Sequence, residues 1–360
     1  MSEWRNWSGS VRAAPQAIAR PRTQAELARL VAGARKLRVV GAGHSFMPLC
    51  ETDGVLLQLC GLEGGLEFNA DKTRVWAPAG WTLARFTAAL WEAGVSLINQ
   101  GDVNSQALAG AIGTGTHGSG AELGSLSTAA RAFCVMGPDG EVRVCSASEN
   151  ADLYQAQRVG LGLLGVVTRI EIDVIAAYHR GETLTAMPLP AALPWASRLI
   201  HPFLVGKLLD NRRVGPAYKI FPSDRTVPFE EMEYETPREA GFAALKEAIG
   251  LIRKKGLPVA FPFEFRLVAE DDIWLSPMHA GPCASISMHQ YAKMPYQREF
   301  AEIEPIFRAH GGRPHWAKRH TLSRADVDAL YPNAERFRAV RTARDPDGTF
   351  FNAPLPSLVG

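Results

Sequence analysis

The sequence has few cysteines, almost no net charge and no long apolar run. Its five cysteines are an odd number without a CxxC pair, so we expect neither a disulfide framework nor a metal site. Lys plus Arg (39) nearly balances Asp plus Glu (37), and the net charge of +2 favours no nucleic-acid partner. The longest apolar and glycine run, 160–167, is far shorter than the ~20 residues that cross a bilayer. The polar N-terminus has no apolar signal segment. We therefore expect a cytoplasmic protein with no strong membrane signal.

The chain is otherwise of ordinary globular composition, with 360 residues, 46% hydrophobic and 21% charged. This length predicts two or three domains. Helix signals fall on residues 22–36, 83–93, 239–254, 296–310 and around 325–331, and the apolar stretch 203–209 is typical of a helix face. Strand signals fall on 37–40, 55–59, 74–77, 132–136, 142–145, 165–174, 218–221, 232–234, 262–268 and 284–291. The mixture predicts an α+β fold.

A short strand runs directly into a glycine turn at residues 39–46, Val-Val-Gly-Ala-Gly-His-Ser-Phe. Glycine has no Cβ to block a close approach, so the backbone N–H groups of such a turn can contact a phosphate. The turn is not a Rossmann fingerprint, because Phe46 stands where the third glycine of GxGxxG would be. A tight turn with a surface histidine is the alternative for this segment taken alone.

Glycine and hydroxyl residues alternate over residues 110–120, Gly-Ala-Ile-Gly-Thr-Gly-Thr-His-Gly-Ser-Gly. Such a segment is poor at packing as a core strand but exposes many N–H and O–H donors. The apolar residues Leu108, Ala109 and Ile112 anchor it. We interpret it as a binding segment for a polyanionic cofactor, with a flexible loop as the alternative.

These two segments, in this order, resemble the FAD-dependent oxidoreductases of the vanillyl-alcohol-oxidase type, and within them the aldonolactone and alditol oxidase branch. Three later segments extend the resemblance over nearly the whole chain: Glu264-Phe-Arg266 with residues 271–277, residues 312–318, and residues 345–352. The resemblance implies a two-domain flavoprotein. Its expected parts are a PCMH-type FAD-binding domain at 1–176, an α+β substrate (cap) domain at 177–318, and a C-terminal segment at 319–360 that packs back on the FAD domain.

The resemblance also implies which residues hold FAD. His44 stands where many members attach FAD covalently through the flavin 8α-methyl group, and we expect the same here; a plain hydrogen-bond donor is the alternative. The expected cofactor-binding residues lie on the glycine turn, on the glycine-rich segment or near them: Gly41, Ala42, Gly43, His44, Ser45, Asp102, Ala107, Gly110, Thr114, Gly115, Thr116, His117, Val166 and His315.

Glu264 and Arg266 lie two residues apart on a predicted strand, so their side chains share one face. A carboxylate and a guanidinium that both point inward are costly unless they pair, and a surface ion pair is the alternative. By resemblance, this pair reaches the reacting hydroxyl of the substrate. His289 matches a substrate-contacting histidine, Lys318 a lysine near the reacting carbon, and Asp102 completes the expected catalytic set.

Two departures from the family pattern matter. The segment 175–218 is shorter than usual and contains Pro188, Pro190, Pro194 and Pro202, so the cap domain is expected to have lost a strand or part of a lid. Asp102 replaces the serine of alditol oxidases, which favours a lactone over an alditol. The preceding Gly101 has no side chain to exclude O2 from the flavin, whereas a simple turn glycine is the alternative.

The sequence therefore predicts FAD-dependent oxidation of a sugar-derived lactone (an aldono-1,4-lactone), with O2 as acceptor giving H2O2. Alditol oxidation, or a dehydrogenase using another acceptor, is the first alternative. A non-catalytic flavin-binding protein is the second, and an NADPH-consuming reductase of the peptidoglycan-precursor type the third. The expected partners are only small molecules, and the expected state is a monomer or small homo-oligomer.

Overall fold

A computed structural model describes residues 3–185, 210–223 and 225–352, and the fold of these residues is α+β. The predicted helix face at 203–209 and the prolines at 188, 190, 194 and 202 lie outside them. The helices are α1 (Gln24–Ala32), α2 (Leu83–Glu92), α3 (Leu108–Gly113), α4 (Leu126–Ala129), α5 (Ala151–Gln157), α6 (Ala217–Ile220), α7 (Gly241–Lys255), α8 (Gln297–Ala309), α9 (Arg324–Leu330) and α10 (Ala334–Arg344).

The N-terminal half contains a parallel sheet and a larger antiparallel one. The parallel sheet has the order β3-β5-β4, from β3 (Ala17–Ala19), β4 (Leu37–Val39) and β5 (Val55–Leu57). The antiparallel sheet has the order β10-β9-β11-β7-β6, from β6 (Glu67–Phe68), β7 (Arg74–Pro78), β9 (Ala130–Met136), β10 (Val142–Ser146) and β11 (Val166–Asp173). Two short pairs accompany them: β1 (Trp4–Arg5) with β2 (Arg12–Ala13), and β8 (Val95–Ser96) with β12 (Ile175–Ala176).

The second half is built on an antiparallel sheet of order β16-β17-β15-β18. Its strands are β15 (Phe229–Pro237), β16 (Glu264–Val268), β17 (Cys283–Tyr291) and β18 (Arg313–Pro314). Glu264 on β16 lies opposite Ser287 on β17, and His289 on β17 lies opposite Glu231 on β15. An antiparallel pair of strands, β13 (His179–Thr185) and β14 (Asp210–Pro216), precedes this sheet in the chain.

Local sequence signals account for many of the element ends. Thr23 caps α1 by accepting a hydrogen bond from the backbone N–H of Glu26 at 3.2 Å. The turn at 137–140 closes the hairpin of β9 and β10, where Gly140 has a φ of +79°. Gly256, in the left-handed region at φ +60°, ends α7. The strand and helix predictions at these places are confirmed.

Two predictions in the second half are wrong. Residues 218–221 were expected as a strand from their aromatic and β-branched composition, but they fall on α6, which begins directly after Pro216. The fixed φ of proline suits a helix start, and this outweighs the local β-propensity. No helix was expected after residue 331, where the structure has α10. This helix has many charged side chains and only a narrow buried stripe, so its apolar periodicity is weak.

The buried apolar residues form two main clusters. The larger joins α2, β9 and β11 of the N-terminal half, and Val327, Tyr331 and Phe337 of the C-terminal segment also belong to it. The smaller lies between the second sheet and helices α7 and α8. Arg38 on β4 donates a hydrogen bond to the Phe350 carbonyl at 2.5 Å. These contacts join described residues between 327 and 350 to the N-terminal half, while the division of the chain into domains stays a prediction.

No helix in the described part of the chain is both long enough and apolar enough to span a membrane.

Candidate active site

A cavity of about 360 Å³ opens between the glycine turn after β4 and the start of α3. Glycines at seven positions line it, where side chains would occupy the space: Gly41, Gly43, Gly80, Gly110, Gly113, Gly162 and Gly165. A Cβ added to Gly41 would lie 2.5 Å from the Cβ of Ala107, so only glycine permits this approach of the turn to α3. The volume is in the range of small-molecule and cofactor sites.

The charges around this cavity suit an anionic ligand. Its described lining includes Arg20 and Arg38 but no Asp or Glu. The guanidinium of Arg38 is buried and donates to the backbone carbonyls of Leu49, Leu161, Gly162 and Phe350; Asp345 lies near it, but no described carboxylate is hydrogen-bonded to it. A buried cation without a bonded carboxylate favours an anion nearby. The residues present therefore fit the diphosphate of FAD.

Most of the predicted cofactor-binding residues border the cavity. Those that line it are Gly41, Ala42, Gly43, His44, Ser45, Ala107, Gly110 and Thr114. Val166 does not line it: its side chain packs with Leu27 and Met136, while its neighbours Gly165 and Val167 face the cavity. Gly115 and Thr116 follow directly after α3, and Gly115 needs its φ of +80°. His117 and His315 are turned toward the second sheet.

His44 stands at the cavity edge, with its ring stacked on that of Trp7. Burial, as the larger cause, and the nearby positive charge of Lys318, as the smaller one, lower the pKa of His44 to about 4. Its imidazole is therefore neutral at pH 7. A neutral ring has a free nitrogen lone pair, which is the form that a bond to carbon requires.

Four charged side chains form one network beside the second sheet. Arg225 forms an ion pair with Asp102 and lies 3.0 Å from Glu264. Arg266 forms an ion pair with Glu264 and lies 3.7 Å from Asp102. The Asp102 carbonyl also accepts a hydrogen bond from the backbone N–H of Ser223. Burial would raise the pKa of Asp102, but Arg266 and Arg225 keep it below its usual value. The structure thus brings together the predicted Asp102, Glu264 and Arg266.

Lys318 and His289 both contact the carboxylate of Glu231, which lies next to this network. Lys318 bonds Glu231, and the Nε2 of His289 lies 3.3 Å from the same carboxylate. Burial would lower the pKa values of both cations, but Glu231 outweighs it and raises them. Lys318 is therefore a positively charged donor near neutral pH, and the carboxylate of Glu231 favours the charged form of His289.

The charged network lies next to the cofactor cavity. Ala317 lines the cavity, and Phe46, which follows the glycine turn, donates its backbone N–H to the Ala317 carbonyl at 2.7 Å. The Nζ of Lys318 lies 5.4 Å from the centre of the Phe46 ring. This backbone contact places the lysine beside the end of the glycine turn that carries His44.

Sequence reasoning missed Arg225 and the buried glutamates of β15. Glu231, Glu233 and Glu235 alternate with Met232 and Tyr234, which indicates one polar and one apolar strand face. An exposed acidic face has the same pattern, so the alternation alone does not show burial. Arg225 lies in a connecting segment without periodicity.

His117, Glu233 and Glu235 each place a possible ligand atom within 4.8 Å of the others, a spacing that a metal ion could use. Lys318 and Arg266 lie 3.6 and 3.7 Å from Glu233, so cations already balance that carboxylate. Burial opposes the charge on His117, but its contacts with Glu233 and Glu235 raise its pKa to about 10, so the ring itself acts as a cation. We assign no metal to this group.

Comparison with known proteins bears on this arrangement. The family described as D-arabinono-1,4-lactone oxidase matches residues 178–358, and the FAD binding domain family matches residues 15–146. The L-gulono-1,4-lactone dehydrogenase of Mycobacterium tuberculosis is 33% identical, and the match covers 99% of each chain. The alditol oxidase of a Streptomyces species is 28% identical over 98% of each. A solvent-stable cholesterol oxidase shares the fold, with a TM-score of 0.84 at 15% identity, over 99% of this chain and 97% of that one.

The match with the Mycobacterium tuberculosis protein runs over 430 positions, against 360 residues here. That relative therefore has segments that this chain lacks.

Fold, cavity and family matches together define a FAD-dependent oxidoreductase with a FAD-binding domain of the PCMH type. The chain belongs to the D-arabinono-1,4-lactone oxidase family. The resemblance predicted from the sequence motifs is confirmed at this level.

Proposed function

We propose that this protein oxidises a carbinol carbon of a sugar-derived lactone, an aldono-1,4-lactone, with O2 as the electron acceptor and H2O2 as the second product. One observation carries the proposal: Glu264, Arg266 and Lys318 converge on one polar network that adjoins the FAD cavity. Relatives named as lactone and alditol enzymes support this substrate class.

FAD supplies the acceptor of a hydride from the carbinol carbon. The glycine turn would hold it through backbone N–H groups, the start of α3 would line the same site, and Arg38 would provide positive charge for its diphosphate. His44 would be the point of covalent attachment, for which the position at the cavity edge and the neutral ring are the supporting observations. Such a bond would prevent loss of the cofactor.

The charged residues act on the hydroxyl group that is oxidised. As the hydride leaves, negative charge develops on the oxygen, and Lys318 and Arg266 stabilise it as the donors of an oxyanion hole do. Glu264 orients the hydroxyl or accepts its proton. His289, held by Glu231, donates a hydrogen bond to the substrate. Asp102 keeps Arg266 and Arg225 in place.

The network suits a neutral, many-hydroxylated substrate. It offers carboxylate acceptors in Asp102 and Glu264 together with guanidinium donors in Arg225 and Arg266, so hydroxyl groups find both kinds of partner. A strongly charged substrate would instead compete with the pairs that these groups form with one another. Asp102, which replaces the serine of alditol oxidases, favours a lactone over an alditol.

A second candidate is a dehydrogenase that passes electrons to a quinone, cytochrome or dye. The name of the 33% identical relative, L-gulono-1,4-lactone dehydrogenase, favours it. Gly101 favours the oxidase, because it has no side chain that would obstruct O2.

An anaerobic substrate panel tests the proposal. The purified holoprotein is mixed with aldono-1,4-lactones, with alditols, and with NADPH, and the visible absorbance of the flavin is followed. We expect bleaching by a lactone at lower concentration and higher rate than by any alditol, and none by NADPH. Bleaching by NADPH alone, or by nothing in the panel, would contradict the proposal. Mixing the reduced protein with O2 then separates oxidase from dehydrogenase.

A further inference from the structure

Strand β15 carries three buried carboxylates on one face. Glu231, Glu233 and Glu235 alternate along the strand, and their exposed fractions are 4%, 2% and 0%. Burying a carboxylate is costly unless cations or hydrogen-bond donors meet it. The carboxylate of Glu231 contacts Lys318 and His289. The surroundings of the other two differ sharply.

Glu233 contacts four groups on four separate segments. The hydroxyl of Ser285 on β17 donates a hydrogen bond to its Oε1 at 2.8 Å, and the Nε2 of His117 lies 3.3 Å from the same oxygen. Its Oε2 lies 3.6 Å from the Nζ of Lys318, and its Oε1 lies 3.7 Å from the Nη1 of Arg266. Glu233 therefore touches both cations that the proposed reaction uses.

Glu235 lies on the same strand face as Glu233, is equally buried and also contacts His117, but it contacts neither Lys318 nor Arg266. Its Oε1 lies 3.3 Å from the Nε2 of His117, and neither of its oxygens makes a hydrogen bond to another described residue. Burial raises the pKa of Glu235 to about 7, despite the pull of His117. The raised pKa favours the protonated, neutral form of this side chain at pH 6. Glu235 thus provides a matched control within the same strand.

We propose that Glu233 is the positioning residue that fixes Lys318 and Arg266 for the oxidation proposed above. Its two oxygens contact the two cations separately, so one carboxylate sets the distance between them. Ser285 and His117 hold that carboxylate from β17 and from the glycine-rich segment. Lys318 also pairs with Glu231, and Arg266 with Glu264, both at shorter distances than with Glu233, so loss of Glu233 loosens both cations without freeing either.

The negative charge of Glu233 also raises the pKa of Lys318. The titratable and charged groups that face this lysine come from every surrounding segment: Glu231 and Glu233 on β15, Arg266 on β16, His289 on β17, His44 on the glycine turn, and His315 on its own segment. Burial lowers the pKa of Lys318, but Glu231 and Glu233 together raise it above its ordinary value. Removal of one carboxylate therefore lowers it.

The test compares Glu233→Gln with Glu235→Gln, both as holoprotein at pH 6. Glutamine keeps the shape of each side chain, but only at Glu233 does it remove a carboxylate that lies beside Lys318 and Arg266. We expect Glu233→Gln to slow anaerobic flavin reduction by the lactone about 10–100-fold, since a displacement of about 1 Å can cost that much. In the rate–pH profile of Glu233→Gln, the fall in rate on the alkaline side should begin at a lower pH than in the wild type. The rate of flavin reduction in Glu235→Gln should stay within about twofold of the wild-type rate, because this substitution displaces neither cation.

A second readout needs no sugar substrate. The flavin midpoint potential, measured with a chemical reductant, should rise in Glu233→Gln and stay unchanged in Glu235→Gln, because only the first loses a buried negative charge. If no lactone reduces the wild type, the proposed function fails, while the difference in potential still tests the role of Glu233. Equal effects of the two variants on both the rate and the potential would overturn the proposal.

A third variant covers poor folding or loss of flavin in Glu233→Gln. Glu233→Asp retains the charge but draws the carboxylate back by one methylene. It should slow reduction while leaving the potential and the alkaline side of the rate–pH profile as in the wild type. Wild-type rates in Glu233→Asp together with a flavin-free Glu233→Gln would show that Glu233 stabilises the fold only, and would overturn the proposal.

Discussion

The indole ring of Trp7 stacks on the imidazole of His44, with ring centroids 4.8 Å apart and an interplanar angle of 23°. The backbone N–H of Trp7 also donates to the Gly43 carbonyl at 2.8 Å, and the side chain of Asn6 donates to the Ser45 carbonyl at 3.0 Å. The N-terminal segment thus holds the glycine turn from both sides of His44. This contact restricts the rotation of the ring that we propose as the point of flavin attachment.

Replacement of His44 by Ala should abolish acid-stable flavin, because no other group at this position could form the bond. Trp7→Ala leaves His44 in place but removes the ring that orients it, so covalent incorporation should become slower and incomplete. Trp7→Phe retains an aromatic face and should recover most of it. The measurement is the fraction of flavin that stays with the polypeptide after acid precipitation.

Wild-type protein that releases all its flavin into the acid supernatant would refute the covalent link. Full and rapid attachment in Trp7→Ala would instead limit the stacking contact to a role in folding.

Gly101→Ala should slow reoxidation of the reduced protein by O2 far more than it slows reduction by substrate. An added Cβ would lie 3.1 Å from the His117 carbonyl oxygen and 3.4 Å from the Cγ2 of Thr116, so the methyl group fills the narrow space beside the glycine-rich segment. Stopped-flow measurement of both half-reactions separates the two effects. Gly250→Ala in α7, where a Cβ meets nothing within 4 Å, serves as the control.

Equal and fast reoxidation in wild type and Gly101→Ala would show that this position does not control access of O2. Slow reoxidation of the wild type itself would favour the dehydrogenase.

The stability of the protein should fall as the pH drops from about 6.5 to about 4. Burial first, and Arg308 second, lower the pKa of His320 to about 4 in the folded state, and the unfolded chain has the ordinary value near 6.5. Between these values the unfolded state binds the proton and the folded state does not, so protons favour unfolding. His320 alone contributes a slope of up to about 1.4 kcal/mol per pH unit in this window.

Thermal unfolding of wild type and His320→Gln across this pH range tests the expectation. The variant should show a flatter dependence of stability on pH than the wild type. Parallel curves for His320→Gln and wild type would exclude His320 as the source of the acid sensitivity.

Strand alternation made part of the site predictable. Glu264 and Arg266 were expected on one strand face because they lie two residues apart, and the apolar Phe265 between them packs in the core of the second sheet. The glycine turn and the glycine-rich segment were likewise recognisable, because few residues other than glycine permit a backbone to approach a ligand so closely.

Tertiary contacts determined what the sequence could not show. Glu233 and Glu235 have the pattern of a solvated acidic face, and they become a buried one only because the glycine-rich segment and the Lys318 segment cover β15. Arg225 reaches Asp102 across 123 residues of sequence, a separation that no local pattern reveals. The α6 helix formed against its aromatic composition because Pro216 starts it and residues of β13 and β14 pack on it.

The most direct test of the account is the rate of anaerobic flavin reduction by an aldono-1,4-lactone in wild type and in Glu264→Gln, Arg266→Ala and Lys318→Ala. The account predicts rapid reduction of the wild type. Each variant should keep its flavin but be reduced roughly 10²–10³-fold more slowly, because each lacks one group that stabilises charge or moves a proton at the reacting oxygen. Near-normal rates in all three variants, at full flavin content, would contradict the assignment of this network as the active site.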